Sequence, residues 1–265
     1  MNLALWQIII LAIVQGIAEF LPISSSGHLV IVAAWFGGSA NVDVADVNIV
    51  FHAGTLLSIL VFYWRRVLRL IGEDRRVIGL LVVGTIPAVI VGLTIKRHFE
   101  QWLSNPLLAG AMLLVTGSIL LWASRVKQDK ESTYQKMTYS QSLMIGLSQA
   151  IAILPGISRS GATICTGLGL GLRRESAATF SFLLAVPAIA GATVLKINDM
   201  ATAATMSTPI SHLVLGALVA FAVGLISLWW LIRWLERGQL SWFAYWCFLV
   251  GAIVVVWQLW PGGQQ

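Results

Sequence analysis

Six apolar segments of this chain are long enough to cross a lipid bilayer, and this feature restricts the fold more than any other. A helix needs about 20 predominantly apolar residues to span a hydrocarbon core of about 30 Å. The six segments are Val47–Trp64, Val77–Ile95, Pro106–Ser124, Ser176–Leu195, Ser211–Ile232 and Ser241–Trp260. Only 11% of the 265 residues are charged, whereas a soluble domain has about 25%. The sequence therefore predicts an all-α polytopic membrane protein with a single integral membrane domain.

Two further apolar regions, Leu3–Phe36 and Ser140–Leu172, are interrupted by Pro, Ser and Gly residues. A break of this kind leaves backbone N–H and C=O groups that hydrocarbon cannot satisfy, so protein or water must surround it. The breaks are two copies of one motif, because Gln15–His28, QGIAEFLPISSSGH, matches Gln149–Ala162, QAIAILPGISRSGA, at seven of fourteen positions. Paired broken segments in the two halves of a chain are typical of a binding site between repeats.

We interpret each interrupted region as a re-entrant helix–loop–helix that is followed by three transmembrane helices, which gives repeats of about 1–125 and 140–262. Because each repeat crosses the membrane an odd number of times, the second is inverted relative to the first. This topology places three basic residues on one side and thirteen on the other. The thirteen are Arg65, Arg66, Arg69, Arg75, Arg76, Arg125, Lys127, Lys130, Lys136, Arg173, Arg174, Arg233 and Arg237. By the positive-inside rule their side is cytoplasmic, and both termini face outward.

Several other functions and features are not expected. The basic residues lie in short runs between apolar segments, so the net charge of +6 does not indicate nucleic-acid binding. Cys165 and Cys247 lack the spacing of a zinc site or a disulfide framework. The N-terminal MNLALWQ has neither a basic region nor a small-residue cleavage pattern, so we expect it to stay in the mature protein.

The first motif places ionisable groups at membrane depth, where such groups are costly and usually have a function. Gln15 and Glu19 are four residues apart, so they share one helix face and either point at a common ligand or make an interhelical hydrogen bond. His28 lies three residues after Ser25, and a serine beside a base is the arrangement that activates a nucleophile. A phosphate-binding loop at a helix start is predicted from Ser24, Ser25, Ser26 and Gly27.

In the second motif, Arg159 takes the place of Ser25 and needs an anionic partner at membrane depth. Phosphate fits this role, because a guanidinium group binds two of its oxygens at once. A salt bridge to Glu19 is the alternative, and the two can coexist. His52, in the first span, has either a core hydrogen bond or a role in the site. Further phosphate-binding groups in the second loop are Ser158, Ser160, Gly161 and Thr163.

The two motifs together closely resemble those of the undecaprenyl-diphosphate phosphatase family, also called the bacitracin-resistance family. The resemblance covers essentially the whole chain and includes FHAGT, from Phe51, and FSFLLAVPA, from Phe180. It implies a bacterial plasma-membrane enzyme that hydrolyses undecaprenyl diphosphate to undecaprenyl phosphate and inorganic phosphate. This activity recycles the lipid carrier for peptidoglycan and other wall polymers, with bacitracin resistance as a consequence. The resemblance also implies a divalent cation, magnesium or calcium.

The residues then suggest a mechanism. We expect Arg159 and the loops to hold the terminal phosphate in a site that opens outward, Ser25 to attack it and His28 to accept the serine proton. The family's first motif has Glu or Gln followed four residues later by Glu, here Gln15 and Glu19. With this single carboxylate, we expect Glu19 to orient the base or to bind the cation together with substrate phosphate oxygens.

The sequence leaves three points open. Either Ser25 or His28 could be the nucleophile. A polyprenyl-phosphate transporter or flippase that uses the same phosphate-binding site is the alternative function, because inverted repeats and broken helices also fit a transporter. Both a monomer and a homodimer are compatible with the sequence.

Overall fold

The computed structural model describes residues 4–35, 41–126, 132–202 and 209–260, and within these ranges the regular elements are helices. The α-helices are α1 (Leu5–Ala18), α2 (Ser25–Trp35), α3 (Asn41–Phe62), α4 (Trp64–Ile71), α5 (Arg75–His98), α6 (Pro106–Ser124), α7 (Tyr139–Ile151), α8 (Arg159–Gly169), α9 (Arg174–Thr202), α10 (Ile210–Glu236) and α11 (Leu240–Leu259). Short 3-10 helices lie at Glu100–Ser104 and Tyr134–Lys136. The predicted all-α class is confirmed.

Five helices of the described chain, α5, α6, α9, α10 and α11, are long and apolar enough to cross a membrane. They coincide with five of the six predicted spans and confirm a multi-span membrane protein. The sixth, Val47–Trp64, overlaps α3, in which the described apolar part is Ile49–Phe62, so this span stays a prediction. The α3 helix ends at Phe62 and is followed by a turn at Tyr63 and by α4, which carries three arginines and buries none of its residues.

Both predicted breaks are present as helix–loop–helix units. One loop separates Ala18 from Ser25, and the other separates Ile151 from Arg159. The α1 helix packs against α10, and α7 packs against α5, so each unit contacts a long helix from the other half of the chain. The α6 and α11 helices pack against each other. The inverted orientation of two repeats in a membrane, and their boundaries in the sequence, stay predictions.

Connections between helices that carry predicted cytoplasmic basic residues meet at one end of the molecule. The Arg76 guanidinium at the start of α5 donates to the Met137 carbonyl oxygen in the connection between α6 and α7 (2.5 Å). That connection also pairs with the one between α8 and α9, through a backbone bridge between Ser132 and Leu172. The predicted basic residues that lie outside the described ranges are Lys127 and Lys130. The side of the membrane on which this end lies stays a prediction.

The α5 and α7 helices approach each other closely because small residues face each other between them. A Cβ atom on Gly146 would collide with the backbone of Gly84. One turn before Gly146, the Ser142 hydroxyl donates to the Leu80 carbonyl oxygen of α5 (2.5 Å). Small residues of this kind allow membrane helices to make close van der Waals and hydrogen-bond contacts.

We expect Gly146→Ala to lower the thermal unfolding temperature of the purified protein in detergent, because the added methyl group must push α7 away from α5. Overpacking of a tight interface costs about 1–3 kcal/mol. The control is Gly191→Ala in α9, where an added Cβ atom meets nothing within 4 Å. Equal unfolding temperatures for the two variants would contradict this packing.

Candidate active site

Each of the two loops ends in a serine that caps the following helix. The Ser24 hydroxyl accepts a hydrogen bond from the Gly27 N–H (3.2 Å), and the Ser158 hydroxyl accepts one from the Gly161 N–H (3.1 Å). Serine is favoured at this position because its hydroxyl satisfies an N–H group that the first helical turn leaves unpaired. The two serines are aligned in the sequence motif, so the repeated motif gives a repeated local structure.

The two loops touch each other through their backbones. The Gly156 N–H donates to the Ser24 hydroxyl (3.2 Å), and a Cβ atom on Gly27 would lie 2.8 Å from the Gly156 Cα atom. Gly156 also has a φ of +93°, which residues with a side chain rarely adopt. On the other side of the contact, a Cβ atom on Gly161 would lie 3.3 Å from the Pro22 Cβ atom. These glycines let the loops meet and bring the first residues of α2 and α8 together.

Glu19, in the first loop, is the centre of the polar cluster that results. Its carboxylate is buried, and one oxygen, Oε1, accepts from the Arg159 guanidinium at the start of α8 (2.5 Å). The other oxygen, Oε2, accepts from the Ser25 hydroxyl (2.7 Å) and from the Gln15 amide (2.9 Å). His52 Nε2, on α3, lies 3.5 Å from the same oxygen. The salt bridge between Arg159 and Glu19, which the sequence left as the alternative to phosphate binding, is therefore present.

Arg159 has further hydrogen-bonding capacity beyond this ion pair. Its second terminal nitrogen, Nη1, has no hydrogen-bond partner in the described part of the chain, and its side chain is 16% exposed. The Gln15 Oε1 atom and both polar atoms of Gln149 are also buried without a described partner. Buried polar groups are normally paired, because an unpaired one loses its hydration without compensation. The guanidinium therefore keeps an unused donor beside its ion pair with Glu19.

Two other predicted phosphate-binding hydroxyls are used inside the protein. The Ser160 hydroxyl donates to the Leu21 carbonyl oxygen of the first loop (3.3 Å), and the Thr163 hydroxyl donates to the Arg159 carbonyl oxygen (2.7 Å). Both side chains are buried, so in this structure they support the loops and do not face a ligand. The predicted site residues that stay partly exposed are Ser25, Ser26, His28, His52 and Arg159.

The expected contact between Ser25 and His28 is not formed. His28 Nδ1 lies 2.8 Å from the Ser24 carbonyl oxygen, and His28 Nε2 accepts from the indole N–H of Trp246 on α11 (3.0 Å). Both ring nitrogens therefore have other partners, and the Ser25 hydroxyl donates to Glu19 instead. The spacing of three residues on a helix allowed the expected contact, but the ring turns back toward the carbonyl group four residues before it.

Two supporting residues lie outside both motifs and were missed by the sequence reasoning. Thr116, on α6, donates to the Gly156 carbonyl oxygen (2.7 Å) and accepts from the Ser158 N–H (3.1 Å). Trp246 contacts the first loop through His28. A lone threonine within an apolar helix, or one tryptophan among twelve, carries no local signal that could have identified it.

The described residues do not form a ready-made metal site. No group of three or more His, Cys, Asp or Glu residues is close enough together within the described ranges. Both oxygens of Glu19 already accept hydrogen bonds, and a hard divalent cation needs several oxygen ligands. The protein side chains alone therefore do not fit a resident magnesium or calcium ion.

Comparison with known proteins identifies the family. The family model described as "Bacitracin resistance protein BacA" matches residues 8–253. The chain belongs to this family. Among its curated members, a protein named undecaprenyl-diphosphatase from Rhodopirellula baltica is 54% identical over 251 residues, which cover 94% of this chain and 96% of the relative.

Two more distant family members carry the same name. They come from Desulfatibacillum aliphaticivorans and Methanosphaera stadtmanae and are 39% and 38% identical to this chain. Each match covers 94% of this chain, and 97% and 96% of the two relatives respectively. The family resemblance that the two motifs indicated is thereby confirmed over nearly the whole length.

We expect Arg159→Met to reduce the free energy of unfolding in detergent strongly, because it leaves the Glu19 carboxylate buried and unpaired. Removing one partner of a buried ion pair costs about 3–5 kcal/mol. Adding Glu19→Gln should recover a large part of this loss, because the double variant no longer carries the buried charge. If the loss of unfolding free energy in the double variant equalled the sum of the losses in Arg159→Met and Glu19→Gln, a direct interaction would be contradicted. Arg97→Met, at an exposed arginine in α5, is the control.

Proposed function

We propose that this chain is an undecaprenyl-diphosphatase: it hydrolyses undecaprenyl diphosphate to undecaprenyl phosphate and inorganic phosphate. Membership of the bacitracin-resistance family supports this activity, as do the shared name and the 54% identity of the relative from Rhodopirellula baltica. The single observation that carries it is the contact of Ser25 and Arg159 with one buried carboxylate. This contact joins an activated hydroxyl to a cation with a free donor, as phosphoryl transfer requires.

In the proposed first step, the Ser25 oxygen attacks the terminal phosphorus and undecaprenyl phosphate leaves. Glu19 Oε2, which lies 2.7 Å from the serine oxygen, accepts the serine proton. The free Arg159 donor binds a phosphate oxygen and stabilises the charge that develops on it. Because the phosphate competes with Glu19 for the guanidinium, substrate binding leaves the carboxylate freer to act as the base.

In the second step, water attacks the phosphorus of the phosphoseryl group, the bond from phosphorus to the Ser25 oxygen breaks, and inorganic phosphate leaves with both protons of that water. Glu19 returns its proton to the Ser25 oxygen, so the enzyme ends in its starting state. This assignment replaces His28 with Glu19 as the proton acceptor, because both nitrogens of the His28 ring are engaged elsewhere. Gln15 and His52, which also lie beside the carboxylate, would hold it in place during both steps.

The proposed orientation follows from the charge distribution. Thirteen basic residues on the predicted inner side against three on the outer side support a plasma-membrane protein with both termini outward. The loops would then meet at membrane depth in a site that opens outward for the two phosphates. The prenyl chain would stay in the lipid, so that no apolar surface has to be moved into water.

The proposed cation would arrive with the substrate. The side chains do not form a metal site of their own. The diphosphate oxygens would therefore supply most of the ligands for magnesium or calcium, and Glu19 would be a ligand from the protein. The cation would neutralise phosphate charge. No proton transfer described above depends on it.

The test of this function is phosphate release from undecaprenyl diphosphate by the purified protein, with and without a chelator. We expect the wild-type protein to release phosphate, and to do so more slowly with the chelator. Ser25→Ala should lower the rate about 100-fold or more, because the attacking group is gone. The control is Ser118→Ala, which removes a hydroxyl that donates to the Leu114 carbonyl oxygen within α6. This variant should retain the wild-type rate. Substrate binding without phosphate release would instead favour a lipid-carrier transporter.

We expect Arg159→Lys to lose about 100-fold or more in kcat although the charge is retained. A point ammonium group cannot pair with Glu19 and at the same time present a second donor in a fixed direction. The same phosphate-release assay measures the effect, with Arg97→Lys at an exposed position as the control. Activity within about threefold of wild type would rule out the role assigned to this guanidinium.

A further inference from the structure

His28 joins the first loop to α11 through both nitrogens of its ring. Nδ1 lies 2.8 Å from the Ser24 carbonyl oxygen, and Nε2 lies 3.0 Å from Trp246 Nε1. An indole N–H can only donate, so Nε2 is the acceptor, and the proton of the neutral ring is on Nδ1. The ring planes of His28 and Trp246 are within 8° of parallel. The indole N–H of Trp246 and the carbonyl oxygen of Ser24 therefore require the same tautomer, and Trp246 stabilises the one that lets His28 donate to the loop.

Ser24 is held in a conformation that it would not keep by itself. Its φ is +70°, in the left-handed region that a residue with a side chain adopts only when its surroundings hold it. Its hydroxyl accepts from the N–H groups of Gly27 and Gly156, and its carbonyl oxygen accepts from both the backbone N–H (3.2 Å) and the imidazole Nδ1–H of His28. Because this carbonyl belongs to the peptide that joins Ser24 to Ser25, the bond from His28 also fixes the direction of Ser25.

The α6 and α11 helices form a common support for the two loops. They pack against each other, and α6 holds the second loop through the hydrogen bonds of Thr116. The α11 helix holds the first loop through Trp246, and its next residue, Cys247, has its sulfur 4.0 Å from the Pro22 carbonyl oxygen. The contact of Trp246 is thus one part of a continuous support and not an isolated surface contact.

We propose that Trp246 is a positioning residue of the reaction: through His28, it holds the Ser24–Ser25 peptide so that the Ser25 hydroxyl faces Glu19. This inference rests on the proposed function, in which Ser25 is the attacking group. Trp246 does not touch the reacting atoms, and its effect passes through the His28 tautomer. His28 is then a bridge between α11 and the loop and not the acceptor of the serine proton.

The first test is Trp246→Phe, which keeps an aromatic ring and removes the N–H donor. We expect kcat for phosphate release from undecaprenyl diphosphate to fall about tenfold or more, because small displacements of a reacting group cost this much. KM should stay nearly unchanged, because the Arg159 guanidinium that binds phosphate is untouched. The control is Trp242→Phe, one turn earlier on α11 and 62% exposed, against 48% for Trp246.

The second test separates a bridge from a base. Asn places an amide N–H near the position of Nδ1, whereas Gln places one near Nε2. His28→Asn should therefore keep about tenfold more activity than His28→Gln, because it alone retains the donor to the Ser24 carbonyl group. Equal activity in the two variants would overturn the inference, since a proton acceptor is lost in both.

The third test is the ¹⁵N spectrum of the imidazole nitrogens in histidine-labelled protein, with the His28 signals identified by their loss in His28→Asn. We expect a protonated Nδ1, and an Nε2 resonance that shifts in Trp246→Phe. A protonated Nε2 in the wild type would overturn the inference even if Trp246→Phe failed to fold. Absence of wild-type phosphate release would overturn the proposed function as well, whereas unchanged kcat in Trp246→Phe would overturn this inference alone.

Discussion

The ion pair between Glu19 and Arg159 is the interaction on which the site depends. The two residues are 140 positions apart, and they belong to different broken helices, so their contact fixes one loop against the other. Neither charge could be buried alone, because the attraction of a partner must offset the hydration that each loses. Together they remain charged with little exposure to water, and a phosphate that enters beside Arg159 meets a cation that is already in place.

The two loops share a backbone structure but differ in the chemistry of equivalent positions. Ser25 and Arg159 are aligned, and each is the first residue of the helix that follows its loop. Glu19 is aligned with Ile153, so the carboxylate belongs to one copy only. The first copy thus supplies a hydroxyl and a carboxylate, and the second supplies a guanidinium group that pairs with the carboxylate. The repeated motif therefore gives two similar helix starts that lie close together. The site is asymmetric because the two copies differ at the position of Ser25 and Arg159 and at the position of Glu19 and Ile153.

The sequence was sufficient to predict the helical class, five of the spans and both breaks, and it offered the pairing of Glu19 with Arg159 as one of two alternatives. These features depend on apolar length, on Pro and Gly breaks, and on the cost of a buried charge, all of which are local or follow from composition. The partner of Ser25 could not be predicted in the same way. The His28 ring is turned away from Ser25 toward the Ser24 carbonyl oxygen and toward Trp246. Trp246 lies 218 residues further along the chain.

The hydrogen bonds that make the broken helices stable are also those that orient the reacting groups. A helix break leaves carbonyl groups outside a continuous helix, and here side chains from α6 and α2 donate to two of them. Thr116 donates to the Gly156 carbonyl oxygen, and His28, itself held by Trp246, donates to the Ser24 carbonyl oxygen. Because these two carbonyl groups lie close before Arg159 and Ser25, satisfying them fixes the direction in which α8 and α2 begin. The hydrogen bonds that pair backbone groups at the two breaks therefore also support the rigid geometry that phosphoryl transfer needs.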